Sequence, residues 1–166
     1  MKTAISVMKQ ATDVVANELN KEITFIHGNT ISVVSQILKL RESSKNKVYP
    51  IVIVFNERII EIEKTLFLEF TIPKIVICTN TVDDASDDQR LQTTFKNIIH
   101  PIFQSLKKEL KRLHYKFDPD IKRTDIPYYD DEGKNKNPLN DLVDGCLIRD
   151  LKMKVMLDQC EDVFEI

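Results

Sequence analysis

Apolar residues along the chain fall into alternating helical and extended patterns. Ile5, Met8, Thr12, Val15 and Leu19 recur at steps of three and four, which places one stripe along a helix over residues 3–20. Ile23 to Ile26 reads as a short strand ended by His27, Gly28 and Asn29. Thr30 then caps a second helix carrying Ile31, Val34, Ile37 and Leu38, although Val33 and Val34 also suit a strand. After a polar loop at 42–47, two β-type runs follow, Tyr49 to Phe55 and Leu66 to Cys78. Between them Ile59, Ile60 and Ile62 alternate with charge in a hairpin-like excursion, and Pro73 marks the second run as an edge position or a bulge, since proline cannot donate to a ladder.

Leu91, Phe95, Ile98, Ile102, Leu106, Leu110 and Leu113 mark one face of a long helix over 87–114, with Pro101 predicting a kink near 97–101. Residues 118–139 are rich in Pro, Asn and charge and read as one long loop, of a length that is functional more often than incidental. A final strand runs over 142–157. The order predicts an α+β fold with a single mixed or antiparallel sheet packed against helices on one face. One domain over 1–157 is expected, followed by an acidic tail at 158–166; a chain of 166 residues is long enough for a single buried core.

Charge and chemistry narrow the reading. With 24 Lys plus Arg against 26 Asp plus Glu, whole-chain attraction to nucleic acid is not the organising theme. No apolar run reaches the ~18 residues of a membrane span, and Lys2, Lys9 and Asp13 interrupt the N-terminal pattern where a signal peptide would be apolar. The three glycines, Gly28, Gly133 and Gly145, are too scattered for a phosphate-cradling loop. Cys78, Cys146 and Cys160 form no Cys-x-x-Cys pair, and His27, His100 and His114 lie far apart, so no metal site, cofactor site or nucleophile is expected.

The run Asp87-Asp88-Gln89-Arg90-Leu91 with Phe95-Lys96-Asn97-Ile98-Ile99-His100-Pro101-Ile102-Phe103, and the ending from Asn140 to Val155, resemble a virion protein family of phages that infect Bacteroidetes. Tyr49-Pro50-Ile51-Val52 is similar to a strand that such proteins open with an aromatic-Pro pair. The family looks like tail-completion or tail-terminator neck proteins, crAss-like or related. One departure is Tyr128-Tyr129-Asp130 where the family has Tyr-Trp-Gly; this chain has no Trp.

The resemblance implies a non-enzymatic structural subunit of the virion, assembled in the host cytoplasm. Its expected partners are copies of itself in a ring, a hexamer or dodecamer, and other neck, portal-adaptor or tail proteins. No membrane contact and at most weak contact with transiting DNA are expected. A ring built head-to-tail needs unlike surfaces on each subunit. The acidic stretch Asp83, Asp84, Asp87 and Asp88 with Arg90 is one candidate contact, Lys107, Lys108, Lys111 and Arg112 a second, and Tyr128 and Tyr129 a third.

Two other functions compete. Asp144 with Asp150 and Lys152 would serve a metal-dependent nuclease if both carboxylates held Mg²⁺. Lys107, Lys108, Lys111, Arg112, Tyr115 and Lys116 would serve a nucleic-acid-binding accessory protein, although a helix C-terminus favours such cations for its own electrostatic reasons.

Overall fold

The computed structural model describes residues 2–44, 48–81, 86–115, 120–127 and 143–157. Helix α1 spans Ala4–Leu19. Thr3 and Ser6 close a capping box at its start, and Asn20 ends it in the left-handed conformation that asparagine tolerates, at φ 49°. Strand β1 (Thr24–Gly28) leads into α2 (Thr30–Ser44). The cap is Asn29 and not Thr30: its Oδ1 accepts the amide hydrogen of Ser32 at 2.8 Å. Gly28 is required at this junction, because its φ is +153° and a Cβ would lie 2.8 Å from the Ser32 hydroxyl.

Strands β2 (Ile51–Phe55), β3 (Ile60–Lys64), β4 (Phe67–Asn80), β5 (Arg123–Ile126) and β6 (Val143–Met156) complete one mixed sheet of order β1-β2-β4-β6-β5, with β3 also on β4. β1 and β2 are parallel and the other pairs antiparallel. β4 and β6, 14 residues each, form the spine. Pro73 is therefore in a central strand, correcting the edge or bulge expectation. It sits where the β2 partner ends at Lys74 and the β3 partner begins at Thr71, so its missing donor falls in the gap between them. Opposite it on β6, Asp150 has φ 49°. Pairing stays in register on both sides, Ile72 with Leu151 and Lys74 with Arg149, yet the alternation of faces switches in both strands.

The long helix consists of α3 (Asp87–Arg90), a π-helical segment (Leu91–Ile99) and α4 (His100–Leu113). The irregularity expected at 97–101 takes this form. Pro101 has no amide hydrogen for the Asn97 carbonyl, and the Lys21 ammonium donates to that oxygen instead, at 3.1 Å. The i→i+5 bonding widens each turn to about 4.4 residues. The buried positions follow: Arg90, Thr94, Phe95 and Ile99, then the tighter spacing Ile102, Phe103, Leu106, Leu110. Leu91, assigned to the apolar face by an ideal helical period, is consequently exposed.

α1 and the long helix pack on one face of the sheet over Val52, Val54, Leu68, Phe70, Ile72, Ile75, Ile77 and the matching β6 side chains. α2 packs on the other face over Ile26, Ile51, Ile53, Phe55, Val76 and Cys78. The sheet is mixed as expected, but helices cover both faces. The reason is the β1-α2-β2 unit, whose parallel strands need a crossover. Four residues of the expected loop, Arg123–Ile126, pair with β6 as an edge strand, and the expected acidic tail lies outside the described residues.

Ile75, fully buried in the middle of β4, provides a test of this spine. Ile75→Ala is expected to lower stability by about 2–5 kcal/mol, read as a drop in the urea midpoint with little change of slope.

Candidate functional site

Asp83, Asp84, Tyr128 and Tyr129 lie outside the described residues. Asp87 and Asp88 are exposed in the first turn of α3, under a capping box made by Ser86 and Gln89, where carboxylates suit the positive end of the helix. Arg90 is placed differently from what an interface contact requires: it is completely buried. Its Nη1 donates to Asp144 Oδ1 and to the Thr81 hydroxyl, each at 3.0 Å, and the Thr94 hydroxyl donates to Asp144 Oδ2 at 2.8 Å. One residue earlier the helix faces solvent; at Arg90 it has turned onto β6.

This engagement also decides what Asp144 can do. Its carboxylate is held by Arg90 and Thr94, and Asp150 stands six residues along the same strand, about 20 Å away, in the left-handed conformation. Two carboxylates so far apart do not share one ion.

The basic residues line the outer side of α4, Lys108 and Arg112 exposed, Lys107 and Lys111 partly so. Lys108 bonds Glu18 of α1 at 2.7 Å, and Arg112 bonds Glu109 at 2.6 and 2.8 Å. The hydrogen bond and charge of Glu18 raise the Lys108 pKa, while Lys108 lowers that of Glu18. Lys108 and Arg112 are thus occupied within the chain, clamping α4 to α1 and closing its last turn.

A polar cluster that sequence reasoning missed ties β5 to the helix. His100 Nε2 lies 2.7 Å from Asp125 Oδ2, Arg123 Nε lies 3.2 Å from Asp125 Oδ1, and the Arg123 guanidinium stacks 5.1 Å over Phe103. Cys146 lies beneath, paired with Asp125 across the strands. Burial, then the nearby Asp125 charge, pushes its thiol up to about 12, the reverse of what a nucleophilic cysteine needs. No local motif marks this group, because its members come together only when β5 pairs with β6 beneath the long helix.

The most exposed apolar surfaces lie on two unlike elements. Before Pro73 no helix among the described residues lies on the face that carries α2 elsewhere, although the Tyr115 ring stacks on Phe67 at 4.6 Å and His114 and Asp120 stand at its border. There Ile60 and Ile62, 59% and 51% exposed, pair with Thr71 and Glu69, which pair with Lys152 and Lys154. These six side chains border an open depression of about 400 Å³. Lys64 and Lys154 both bond Glu69, at 3.0 and 3.1 Å. Met156, 48% exposed, ends the row. The second surface is the outer side of α2, where Ile31 is 82% and Leu38 41% exposed.

Two measurements check these assignments. Asp144→Ala strands a buried guanidinium and should cost about 3–5 kcal/mol in urea unfolding, whereas Arg90→Met with Asp144→Leu should recover most of that loss. The Cys146 thiol is protonated in both states below its ordinary value of 9.0; from there toward about 12 only the unfolded chain releases the proton. Stability should therefore fall across that window, more steeply than in Cys146→Ala, and native Cys146 should resist iodoacetamide at pH 8 until urea unfolds the chain.

Comparison of the chain with protein-family models, with curated proteins and with solved structures finds no match.

Proposed function

We propose that this chain is a structural virion subunit that assembles into a ring in the phage neck, between the portal vertex and the tail. The observation that carries the reading is the pair of unlike apolar surfaces, exposed Ile60 and Ile62 on β3 and the outer stripe of α2 with Ile31 and Leu38. Large apolar side chains grouped on a surface mark association sites more often than scattered ones do. Two different patches on one subunit suit head-to-tail contact, which closes into a ring when the rotation permits. The resemblance supports the same reading. Its described segments lie on the long helix, at the start of β2 and along β6, the elements that shape the core.

In this reading the subunit works by shape and adhesion. Copies of itself, in a hexamer or dodecamer, and adjoining portal-adaptor or tail proteins are its partners. DNA passes with weak contact at most, and the subunit is assembled in the host cytoplasm. The four cations of α4 fit this better than a nucleic-acid role, because Lys108 and Arg112 are already bonded to Glu18 and Glu109.

Native mass spectrometry of the purified protein, together with reconstruction of particles that contain it, provides the test. The expected result is a closed ring of defined copy number located at the neck. A chain that is monomeric alone and absent from particles overturns the proposal.

A further inference from the structure

We infer that the outer edge of β3 is a docking site for an extended segment of another protein, which adds to the sheet antiparallel to β3 and carries basic residues on either side of a β-branched one. The edge runs in the plane of the sheet, at right angles to the Ile60 and Ile62 side chains invoked for contact between copies. The inference therefore goes beyond the ring reading and stands apart from it.

The backbone decides which groups are on offer. Leu157 donates its amide hydrogen to the Leu66 carbonyl at 3.0 Å, one step beyond the Phe67–Met156 pair of the β4–β6 register. Counting from that bonded pair, Leu68, Phe70 and Ile72 turn their amides and carbonyls to β6, while Phe67, Glu69 and Thr71 turn theirs to β3. Lys64, Ile62 and Ile60, which stand opposite those three, are thereby bonded to β4. Glu61 and Glu63 consequently point their amide hydrogens and carbonyls away from the sheet. The same count holds on β6, where Lys154 and Met156 face outward and are met by Tyr115, His114 and Lys2. That edge is closed by the chain's own groups. Among the described residues nothing pairs with the outer edge of β3, and all five of its residues are exposed. It carries neither a proline nor a bulge, two common guards of a strand edge.

Charge names the occupant. Glu61 and Glu63 share one side of the strand and Ile60, Ile62 and Lys64 the other. Lys64 is engaged by Glu69 at 3.0 Å, so the two glutamates set the potential along the edge. Glu61 also accepts the Ala4 amide hydrogen at 2.6 Å, whereas the Glu63 carboxylate makes no hydrogen bond or ion pair among the described residues. A second copy of β3 is disfavoured by these residues. Antiparallel self-pairing centred on Ile62 sets Glu61 opposite Glu63 twice, and like charges directly opposed are destabilising. A strand with Lys or Arg opposite Glu61 and Glu63 makes both contacts attractive and lays its middle side chain beside the half-exposed Ile62. Main-chain bonds then supply affinity, and the alternating side chains supply selectivity.

The probe is a synthetic peptide, acetyl-Thr-Lys-Val-Lys-Ile-Lys-Thr-amide, titrated into the isotope-labelled full chain at low salt. The expected result is saturable binding in which amide exchange at Glu61 and Glu63 slows about tenfold, with no change at Ile60, Ile62 and Lys64, which already bond β4. N-methylation of the peptide's lysines, whose amides face β3, should abolish binding; N-methylation of its valine and isoleucine should not. Glu63→Pro removes an outward donor where an edge strand tolerates proline, and Glu63→Lys reverses the charge. Both should keep the parent's urea midpoint, the first losing the peptide and the second preferring one with glutamates in place of the lysines. Binding that survives N-methylated lysines, or that leaves exchange at Glu61 and Glu63 unchanged, is adsorption by charge alone and overturns the inference. Absence of binding overturns it too, and the N-methyl comparison decides on the unaltered chain.

Discussion

The β4–β6 ladder is the constraint on which the rest of the molecule depends. It is held in register from Phe67 opposite Met156 to Asn80 opposite Val143. At Pro73 and Asp150 the two strands switch faces together, one because proline has no donor, the other by a left-handed residue. An isolated slip in one strand would turn every later side chain to the wrong side. A matched switch preserves pairing, and it lets Ile75 and Ile77 share a core with Leu68, Phe70 and Ile72. Thr71, Glu69, Lys152 and Lys154 are thereby directed to the face on which α2 packs farther along the sheet.

The same spine carries the buried Arg90–Asp144 pair. Desolvating two charges costs more than an exposed ion pair returns, so a fully buried pair persists when its remaining hydrogen-bonding groups are also met. Thr81 and Thr94 meet them here. The pair fixes the beginning of the long helix over the start of β6, and the clamps at His100 and Glu18 hold the middle and end of that helix to β5 and α1.

Much of the fold was legible because burial imposes periodicity. α1, β2, β4 and β6 follow from apolar spacing alone, and their boundaries fall within two or three residues of the structure. Three things were not legible. The π segment moves burial from Leu91 to Arg90, and a period of 3.6 cannot anticipate it. β5 has four residues of mixed polarity and is defined by its partner, so nothing local distinguishes it from loop. The parallel β1-β2 pair put α2 on the second face, a topological fact without a residue-level signal. Of the candidate site, the charges on α4 were visible as a basic cluster that a helix end also favours, but the partners of Lys108 and Arg112, Glu18 and Glu109, sit on another helix and another turn. Ile60 and Ile62 were visible as an alternation with charge, though not as an edge strand of the sheet.

The π segment has one further implication, for the lengths of chain this architecture accepts. Between Arg90 and Pro101 every residue is counted, because the guanidinium must arrive at Asp144 while the imino acid arrives beside the Lys21 ammonium. Adding or removing one residue there would swing the two ends about 100° out of phase. The exposed side chains of that stretch are therefore open to substitution, whereas its number of residues is not.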